Sequence, residues 1–494
     1  MGMFKKIHKK YIDTSMAAKA SMWFVICGFL QRGISVITTP IFTRLLTPEE
    51  FGVYSIFNTW MAIITILVTL KLGFGVYIQG LVKFAEDKER FSSSILGLAT
   101  VWWACFFAIY LFFKDFWNRL LGLTTFFMVC MFIMIIVTVA FTLWAGGQRN
   151  DFKYINLVKV TILVSVLNPL FGIIAVLLTE TLKVEARVGA LTGIALLAYS
   201  GFYFHIIRKG KKFINVKYWK YALMFNIPLV PHFLSQVILN HSDRIMIQQL
   251  VGFREAGIYT LAYSIAMILT ILNTSIQNSF RPWVFQNLKM GKSEKIRSVG
   301  LSVIVIVGIC NLLLISFGPE VVAIFAPPAF REATNLLAPI TMGVYFAFLY
   351  NLFADVQMYY EKTKSIMVVS IICASISIAL NLYFIPIFGY MAAAYTTLFS
   401  YMLMTVLHYF AMERVIKRNH QTIKIYKLKT VVIVSLVFLI AGALLGSLFE
   451  HFAIRLAIVT IGFIFIYCNR GRFRGIMGLM KMESASENVE KVDV

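Results

Sequence analysis

Long apolar runs, separated by short polar connections, follow one another along the whole chain. A helix needs roughly 20 mostly apolar residues to cross a bilayer, where each spanning segment must satisfy its own backbone hydrogen bonds. The pattern therefore predicts an all-α polytopic membrane protein with about 14 transmembrane helices. The predicted spans are 21–43, 51–78, 92–113, 121–146, 156–179, 185–207, 221–247, 256–277, 298–317, 336–354, 365–387, 391–412, 430–448 and 454–468.

The composition favours the same class of protein. Hydrophobic residues make up 59% of the 494 residues and charged residues 14%, whereas a soluble domain has about 45–50% apolar and about 25% charged residues. The polar stretches are too short for a separate soluble domain. The six cysteines are scattered through apolar runs without a CxxC or Cys/His cluster, so neither a disulfide framework nor a zinc site is expected.

The net charge of +23 comes from Lys and Arg that concentrate in alternate connections between the predicted spans. Because cytoplasmic loops carry the excess of these residues, the bias predicts that both termini are cytoplasmic. Cations in such short loops favour anionic lipid headgroups and not nucleic acid as their neighbours. Residues 1–19 are lysine-rich and predict either a basic amphipathic helix on the membrane surface or a disordered basic tail.

An internal repeat occurs at an offset of 205 residues, where residues 50–54 (EFGVY) correspond to residues 255–259 (EAGIY). Six predicted spans separate the two copies, so both copies have the same orientation, which is the parallel-repeat arrangement. It predicts two six-helix lobes facing a central cavity: an N-lobe (1–220) and a C-lobe (221–415). Residues 416–494 would hold two further helices and a cytoplasmic tail.

Polar side chains recur on one face of several predicted spans, and repeat-related spans carry them at corresponding positions. Lipid tails cannot satisfy such groups, so these faces should point into the bundle or into a wet cavity. In transporters built from repeats, substrate binds where the repeats meet. The candidate substrate-binding residues are Gln31, Arg32, Ser35, Thr39, Asn58, Gln236, Asn240, Tyr263 and Asn273.

Arg32 lies in the middle of the first predicted span, where a charged side chain costs about 2.5–3.5 kcal/mol on insertion scales. An anionic ligand or a paired carboxylate would explain it; a structural ion pair or snorkelling to the cytoplasmic face are the alternatives. Lys71 and Arg281 lie near predicted cytoplasmic span ends and would steer an anionic headgroup inward. Positive-inside bias alone would also place them there.

Further polar residues suggest ion coupling or gating. His241 titrates near neutral pH in an unperturbed setting, Asp243 and Arg244 would form a gate or a structural ion pair, and Asp355 would supply a counter-charge. Prolines at 40, 228 and 231 fall inside predicted spans and predict kinks, either hinges or static bends.

Catalytic motifs are absent from the sequence: it has no P-loop, no GxSxG and no HExxH. The chain is therefore not expected to be an enzyme or to need a cofactor or metal. Transport driven by ATP bound to this chain is excluded at the level of motifs.

Three stretches resemble the polysaccharide transporter family, the flippases of O-antigen, capsule and teichuronic-acid repeat units. Residues 40–54 (PIFTRLLTPEEFGVY) resemble the family's first-loop signature. Asp243, Arg244, Gly252 and residues 257–259 are similar to its second-lobe pattern, and residues 388–394 (FGYMAAA) to the pattern that opens the twelfth helix.

The resemblance implies the fold of the multidrug/oligosaccharidyl-lipid/polysaccharide (MOP) exporter superfamily and a bacterial cytoplasmic (inner) membrane location. It also implies alternating access and a substrate of undecaprenyl-pyrophosphate-linked oligosaccharide, moved from the inner to the outer leaflet for surface polysaccharide biosynthesis. Arg32 would then bind the pyrophosphate and the polar faces the sugars. Implied partners are membrane lipids, a coupling ion (H+ or Na+) and polysaccharide assembly machinery.

Other functions are compatible with parts of the pattern. A lipid II flippase or a multidrug/cation antiporter of the same superfamily would share the fold. The antiporter would want buried carboxylates, and the first six predicted spans show none clearly. A membrane-embedded polymerase or acyltransferase would want a large outer loop or a catalytic His/Asp cluster. A structural scaffold would leave the matched polar faces unexplained.

Overall fold

The structure, a computed structural model, describes residues 16–419 and 425–468, so the N-terminal prediction for residues 1–19 lies mostly outside the described residues. Within them the chain is all-α. The first ten helices are α1 (Met16–Leu45), α2 (Pro48–Thr69), α3 (Val76–Lys83), α4 (Lys88–Phe112), α5 (Lys114–Leu121), α6 (Thr125–Asn150), α7 (Tyr154–Leu177), α8 (Lys183–Gly210), α9 (Val216–Asn226) and α10 (Val230–Leu250). The others are α11 (Phe253–Lys289), α12 (Ser293–Ser316), α13 (Gly318–Phe325), α14 (Ala333–Tyr359), α15 (Thr363–Phe388), α16 (Met391–Arg418), α17 (Leu428–Ser447) and α18 (Phe452–Cys468).

Each predicted span coincides with a helix or with a pair of helices, which confirms the fold class. Among the described residues, 11 helices are long and apolar enough to cross a membrane, or 12 if the bent pair α9 and α10 counts as one span. The helix α16 is not among them, and the apolar part of α18 is shorter than a full span. The number of 14 crossings stays a prediction.

The second predicted span, 51–78, is wrong at its end. The helix α2 stops at Thr69, because Leu70 and Lys71 adopt left-handed backbone conformations with φ of 47° and 52°. A right-handed helix cannot continue through such residues. At its start, α2 has a capping box, in which Thr47 Oγ1 accepts from the Glu50 amide and Glu50 Oε2 accepts from the Thr47 amide.

The predicted kink near Pro228 and Pro231 is present. A single 3-10 turn (Ile227–Leu229) separates α9 from α10, and the two helices bend by 47°. Proline lacks an amide hydrogen and its ring clashes with the preceding turn, so it breaks the hydrogen-bond ladder there. By contrast, α1 continues through Pro40 to Leu45.

The described residues form two compact units, one ending at Thr260 and the other beginning at Leu261. In the first unit, α8 packs against α4, α6 and α7, and α10 packs against α2. In the second unit, α14 is buried along most of its length and packs mainly against α16. The unit boundary lies inside α11, whereas the division of the chain at 220 and 415 stays a prediction.

A buried ion pair fixes the last helix of the second unit. Arg455 of α18 is 2% exposed, and its two terminal nitrogens donate to the carboxylate of Glu320 in α13 at 2.9 and 2.7 Å. The same guanidinium donates to the carbonyl oxygens of Ser316 and Phe449. Because Arg455 is almost fully buried, losing its carboxylate partner would leave a desolvated charge.

We expect Glu320→Gln to lower the free energy of unfolding by about 2 kcal/mol, because Arg455 would stay buried without its carboxylate, while the partial exposure of Glu320 lets solvent screen the pair. The measurement is the thermal unfolding midpoint of the purified protein in detergent. Glu294→Gln is the matched control, because Glu294 has a 92% exposed side chain and only a 4.0 Å contact with Arg297. Equal midpoints for the two variants would contradict the expectation.

The stability of the protein should depend on pH through the same ion pair. The hydrogen bond from Arg455 lowers the pKa of Glu320 below its ordinary value of 4.5. Because folding lowers the pKa of Glu320, the ion pair stabilises the folded protein fully at pH values above the ordinary pKa. This stabilisation is lost as the pH falls through the lowered pKa. The difference in unfolding midpoint between wild type and Glu320→Gln should therefore shrink below about pH 4.

Candidate functional site

The polar face predicted for α1 is open. Gln31, Arg32 and Ser35 are exposed, while Thr39 is half-buried. The Thr39 hydroxyl donates to the carbonyl oxygen of Ser35 at 2.8 Å, so its hydrogen bond is made within its own helix. A long cationic side chain such as Arg32 is far costlier to leave against lipid than a hydroxyl. The open face therefore suits a polar or anionic ligand.

The neighbouring helices α2 and α10 carry the next group of predicted residues. Asn58 is exposed and donates from Nδ2 to the Tyr54 carbonyl at 2.9 Å. Asn240 is half-buried and donates to the Gln236 carbonyl at 2.7 Å. Both amides bond one turn back along their own helix.

The three residues of α10 that were predicted to act in ion coupling or gating, His241, Asp243 and Arg244, are less exposed than the polar face of α1. Asp243 and Arg244 are buried, and Asp243 accepts a hydrogen bond of 2.8 Å from the Tyr259 hydroxyl. Arg244 Nη1 lies 2.8 Å from His241 Nδ1. A guanidinium is always a donor, so Nδ1 is the acceptor and carries no proton while this bond exists. Proton coupling through that nitrogen would require the bond to break.

In the second unit, the structure brings Arg281 and Asp355 together. Arg281 Nε donates to Asp355 Oδ1 at 2.6 Å, and Gln277 lies 3.4 Å from the other carboxylate oxygen. The Asp355 side chain is 4% exposed and that of Arg281 is 37% exposed. The pair holds α11 against α14, and it leaves part of the guanidinium accessible.

Three further predicted residues differ in their settings. On α11, Tyr263 is half-buried, and Asn273 is 7% exposed with a buried side-chain oxygen that has no hydrogen-bond partner among the described residues. Lys71 lies in the turn after α2, where burial lowers the pKa of its amine. Neither an orphaned amide oxygen nor a half-buried lysine is favoured in a purely apolar setting.

The two copies of the repeat touch each other where α2 and α11 begin. A Cβ on Gly52 would collide with the carbonyl oxygen of Phe253, and one on Gly257 with that of Pro48. Ser55 Oγ and Thr260 Oγ1, also 205 residues apart, are hydrogen-bonded at 2.6 Å. We call this contact the glycine crossing. The sequence predicted the repeat but not that its copies pack backbone to backbone.

Sequence analysis also missed Arg187. It lies one turn inside α8, is 8% exposed, and its guanidinium carbon lies 3.4 Å from the ring centroid of Phe42 and 3.5 Å from that of Tyr54. Cation–π contacts with two desolvated rings stabilise the charge and join α8 to α1 and α2. An arginine in a predicted apolar span was the available signal, but its position near the span end made it look like a loop charge.

No group of three or more His, Cys, Asp or Glu side chains that could hold a metal ion occurs in the part of the chain that the structure describes. The candidate site residues that lie on helices of the first unit belong to α1, α2 and α10, and those of the second unit belong to α11 and α14. Their chemistry is that of hydrogen bonding and charge pairing.

Comparisons with solved structures identify the fold. The structure titled "Lipid II flippase MurJ, inward closed conformation" has a TM-score of 0.65 and 15% sequence identity and covers 91% of this chain and 99% of its own. An inward-facing MATE family multidrug resistance transporter of the MOP superfamily scores 0.57 at 11% identity, covering 79% and 96%. A MOP superfamily transporter from Pyrococcus furiosus scores 0.54 at 14% identity, covering 82% and 96%.

These neighbours confirm the predicted fold. No curated protein sequence matches the chain. Two family models do match: the one described as MatE covers residues 228–383, and the one described as polysaccharide biosynthesis protein covers residues 17–288. The second match spans more than half of the sequence, and the chain, a multi-pass membrane protein, therefore belongs to the polysaccharide biosynthesis protein family.

Proposed function

We propose that the protein moves undecaprenyl-pyrophosphate-linked oligosaccharide repeat units from the inner to the outer leaflet of the bacterial cytoplasmic membrane. The observation that carries this proposal is the open polar face of α1, with the exposed cation Arg32, in a chain of the polysaccharide biosynthesis family. A pyrophosphate needs a cation at membrane depth, and sugars need hydrogen-bonding side chains. The lipid tail needs neither and would stay in the bilayer.

The roles follow from the chemistry of each side chain. Arg32 binds the pyrophosphate, because guanidinium groups bond phosphate oxygens in pairs. The sugars contact the amides, hydroxyls and phenol of the polar set, namely Gln31, Ser35, Thr39, Asn58, Gln236, Asn240, Tyr263 and Asn273. Lys71 and the accessible part of Arg281 attract the anionic headgroup. Both termini are cytoplasmic in this proposal, and assembly enzymes supply the substrate from that side.

The glycine crossing supports alternating access. Small residues let helix backbones approach closely in a membrane, and such contacts can part without exposing large side chains. In the proposed cycle, α2 and the start of α11 separate when the cavity opens at that end. An ion gradient of H+ or Na+ would drive the cycle through Asp355, Asp243, Arg244 and His241.

Lipid II transport is the second candidate. The structure of a lipid II flippase aligns over 99% of its own length, whereas the MATE transporter and the Pyrococcus furiosus MOP transporter each align over 96% of theirs. Lipid II also carries a pyrophosphate and sugars, so the same side chains would serve it. Multidrug transport is favoured only by the MatE match over residues 228–383.

Depletion of the protein should cause a complete undecaprenyl-linked repeat unit to accumulate, with loss of surface polysaccharide, because an untransported unit stays on the inner leaflet. Mass spectrometry of lipid extracts measures the accumulation and identifies the sugars. Accumulated lipid II with normal surface polysaccharide would favour the second candidate. No accumulated glycan in a strain without a redundant flippase would contradict both.

Arg32→Ala should reduce transport at least tenfold, since a lost charge-assisted contact with phosphate is worth about 1.5–3 kcal/mol. Arg32→Glu should abolish it through repulsion of the pyrophosphate. The readout is repeat-unit accumulation in cells that express each variant at wild-type abundance. Arg119→Ala is the control, because Arg119 is an exposed arginine of the short helix α5. Normal transport by both Arg32 variants would rule out the pyrophosphate role.

A disulfide between Ser55→Cys and Thr260→Cys should block transport reversibly. The two hydroxyl oxygens are 2.6 Å apart, so the replacing sulfurs lie within bonding reach. Oxidation should lock the glycine crossing, and reduction should restore the flux. Each single-cysteine variant, treated in the same way, is the control. Full transport by the oxidised double variant would show that α2 and α11 need not separate there.

A further inference from the structure

A small polar pocket of about 160 Å³ lies in the first unit, where four helices end or begin. Its walls come from α3, the start of α4, and the ends of α6 and α8. Its lining includes the apolar side chains of Leu81, Trp144 and Ile206, which we call the apolar wall. It also includes three lysines, Lys88, Lys153 and Lys209. We call this the lysine pocket. The proposed flippase cycle does not use it.

The charges of the lysine pocket do not balance. Lys88 and Lys153 lie 3.4 and 3.5 Å from the two carboxylate oxygens of Asp151, and Lys209 lies 2.7 Å from Glu89. Two carboxylates thus face three ammonium groups, which leaves one positive charge. Each ammonium has three donors and contacts one of these carboxylate oxygens, so donors remain for an additional anion.

The carboxylate shared by two lysines stays ionised at neutral pH. Partial burial alone would raise the pKa of Asp151, but hydrogen bonds from Asn150 and Lys88 and the charges of Lys88 and Lys153 lower its pKa below the ordinary value. Asp151 is therefore a charged partner for Lys88 and Lys153 over the physiological range, and the count of three lysines against two carboxylates holds there.

The turn beside the pocket has an uncommon backbone. Phe152 has a φ of 55°, a left-handed conformation that is rare for a bulky residue. It separates Asp151 from Lys153, both of which line the pocket, while the Phe152 side chain is exposed. Trp144 beside lysines is a combination typical of the membrane–water interface, where tryptophan is enriched and lysine side chains reach toward water. This composition favours a position of the pocket at the level of lipid headgroups.

We propose that the lysine pocket binds the phosphate of a monoanionic phospholipid, such as phosphatidylglycerol. One phosphodiester neutralises the single surplus charge, and the apolar wall with Trp144 accommodates the start of the acyl chains. A zwitterionic phospholipid brings its own ammonium group and leaves the surplus in place. Inorganic phosphate has the same anionic chemistry but nothing to fill the apolar wall.

Native mass spectrometry of the full-length protein in detergent tests this site, with phosphatidylglycerol, phosphatidylethanolamine and inorganic phosphate as separate probes. Phosphatidylglycerol should bind most tightly. Lys153→Ala and Lys209→Ala should each weaken the binding of phosphatidylglycerol about fivefold, which corresponds to the contribution of one lysine near an anionic lipid. Lys153→Arg should retain the binding. Lys212→Ala is the matched control, because Lys212 is exposed and lies near the end of α8 but does not line the pocket.

Two outcomes would overturn the proposal. Equal affinity for phosphatidylglycerol in Lys153→Ala, Lys209→Ala and Lys212→Ala would show that the lipid binds elsewhere. Inorganic phosphate or phosphatidylethanolamine binding as tightly as phosphatidylglycerol would show that the pocket does not select a monoanionic lipid. Because the readout is lipid binding and not transport, failure here is distinct from failure of the flippase function.

Discussion

In the hydrocarbon of a bilayer, every polar group must find its partner inside the protein, and the rest of this structure depends on that constraint. It makes the chain helical throughout its described residues. It also acts on side chains: Thr65, Ser370 and Asn311 each donate to a carbonyl one turn back in their own helix. Short polar residues in a span are thus satisfied locally. Arg32 carries a full charge, which is far costlier to place in hydrocarbon than a hydroxyl or an amide, and this makes it the stronger indicator of a ligand.

Three arginines meet the same constraint in two ways. Arg455 and Arg281 pair with carboxylates from other helices, and Arg187 stacks between two aromatic rings. Buried pairs of this kind cost desolvation and are sensitive to the loss of either partner. The first two therefore fix how helices of the second unit pack, and the third does so for α1, α2 and α8 of the first unit.

The sequence was sufficient for the fold class, because span length and apolar character are local properties. It also predicted the bend at Pro228, where the missing amide acts locally. It did not predict that α2 ends at Thr69, since a run of apolar residues can pass through a left-handed turn. The sequence also did not predict the short helices α3, α5 and α13, because hydropathy averaged over about 20 residues does not resolve helices this short.

The sequence did not predict which residues far apart in the chain form ion pairs with each other. Arg281 and Asp355 were separate candidates for steering and coupling, and their ion pair joins residues 74 positions apart. Arg455 drew no attention, because its partner Glu320 is 135 positions away. A linear pattern shows which residues need partners, but only packing shows which partners they obtain. The open face of α1 was accessible to sequence reasoning because its residues share one helix.

The glycine crossing joins residues that occupy the same place in the two copies of the repeat, Gly52 with Gly257 and Ser55 with Thr260. A contact between equivalent residues is isologous, the kind that a twofold axis generates in a homodimer. The crossing therefore has, within one chain, the self-complementary geometry that two identical subunits would form across a twofold axis. A substitution at Gly52 and the equivalent one at Gly257 would thus disturb the same contact from its two sides.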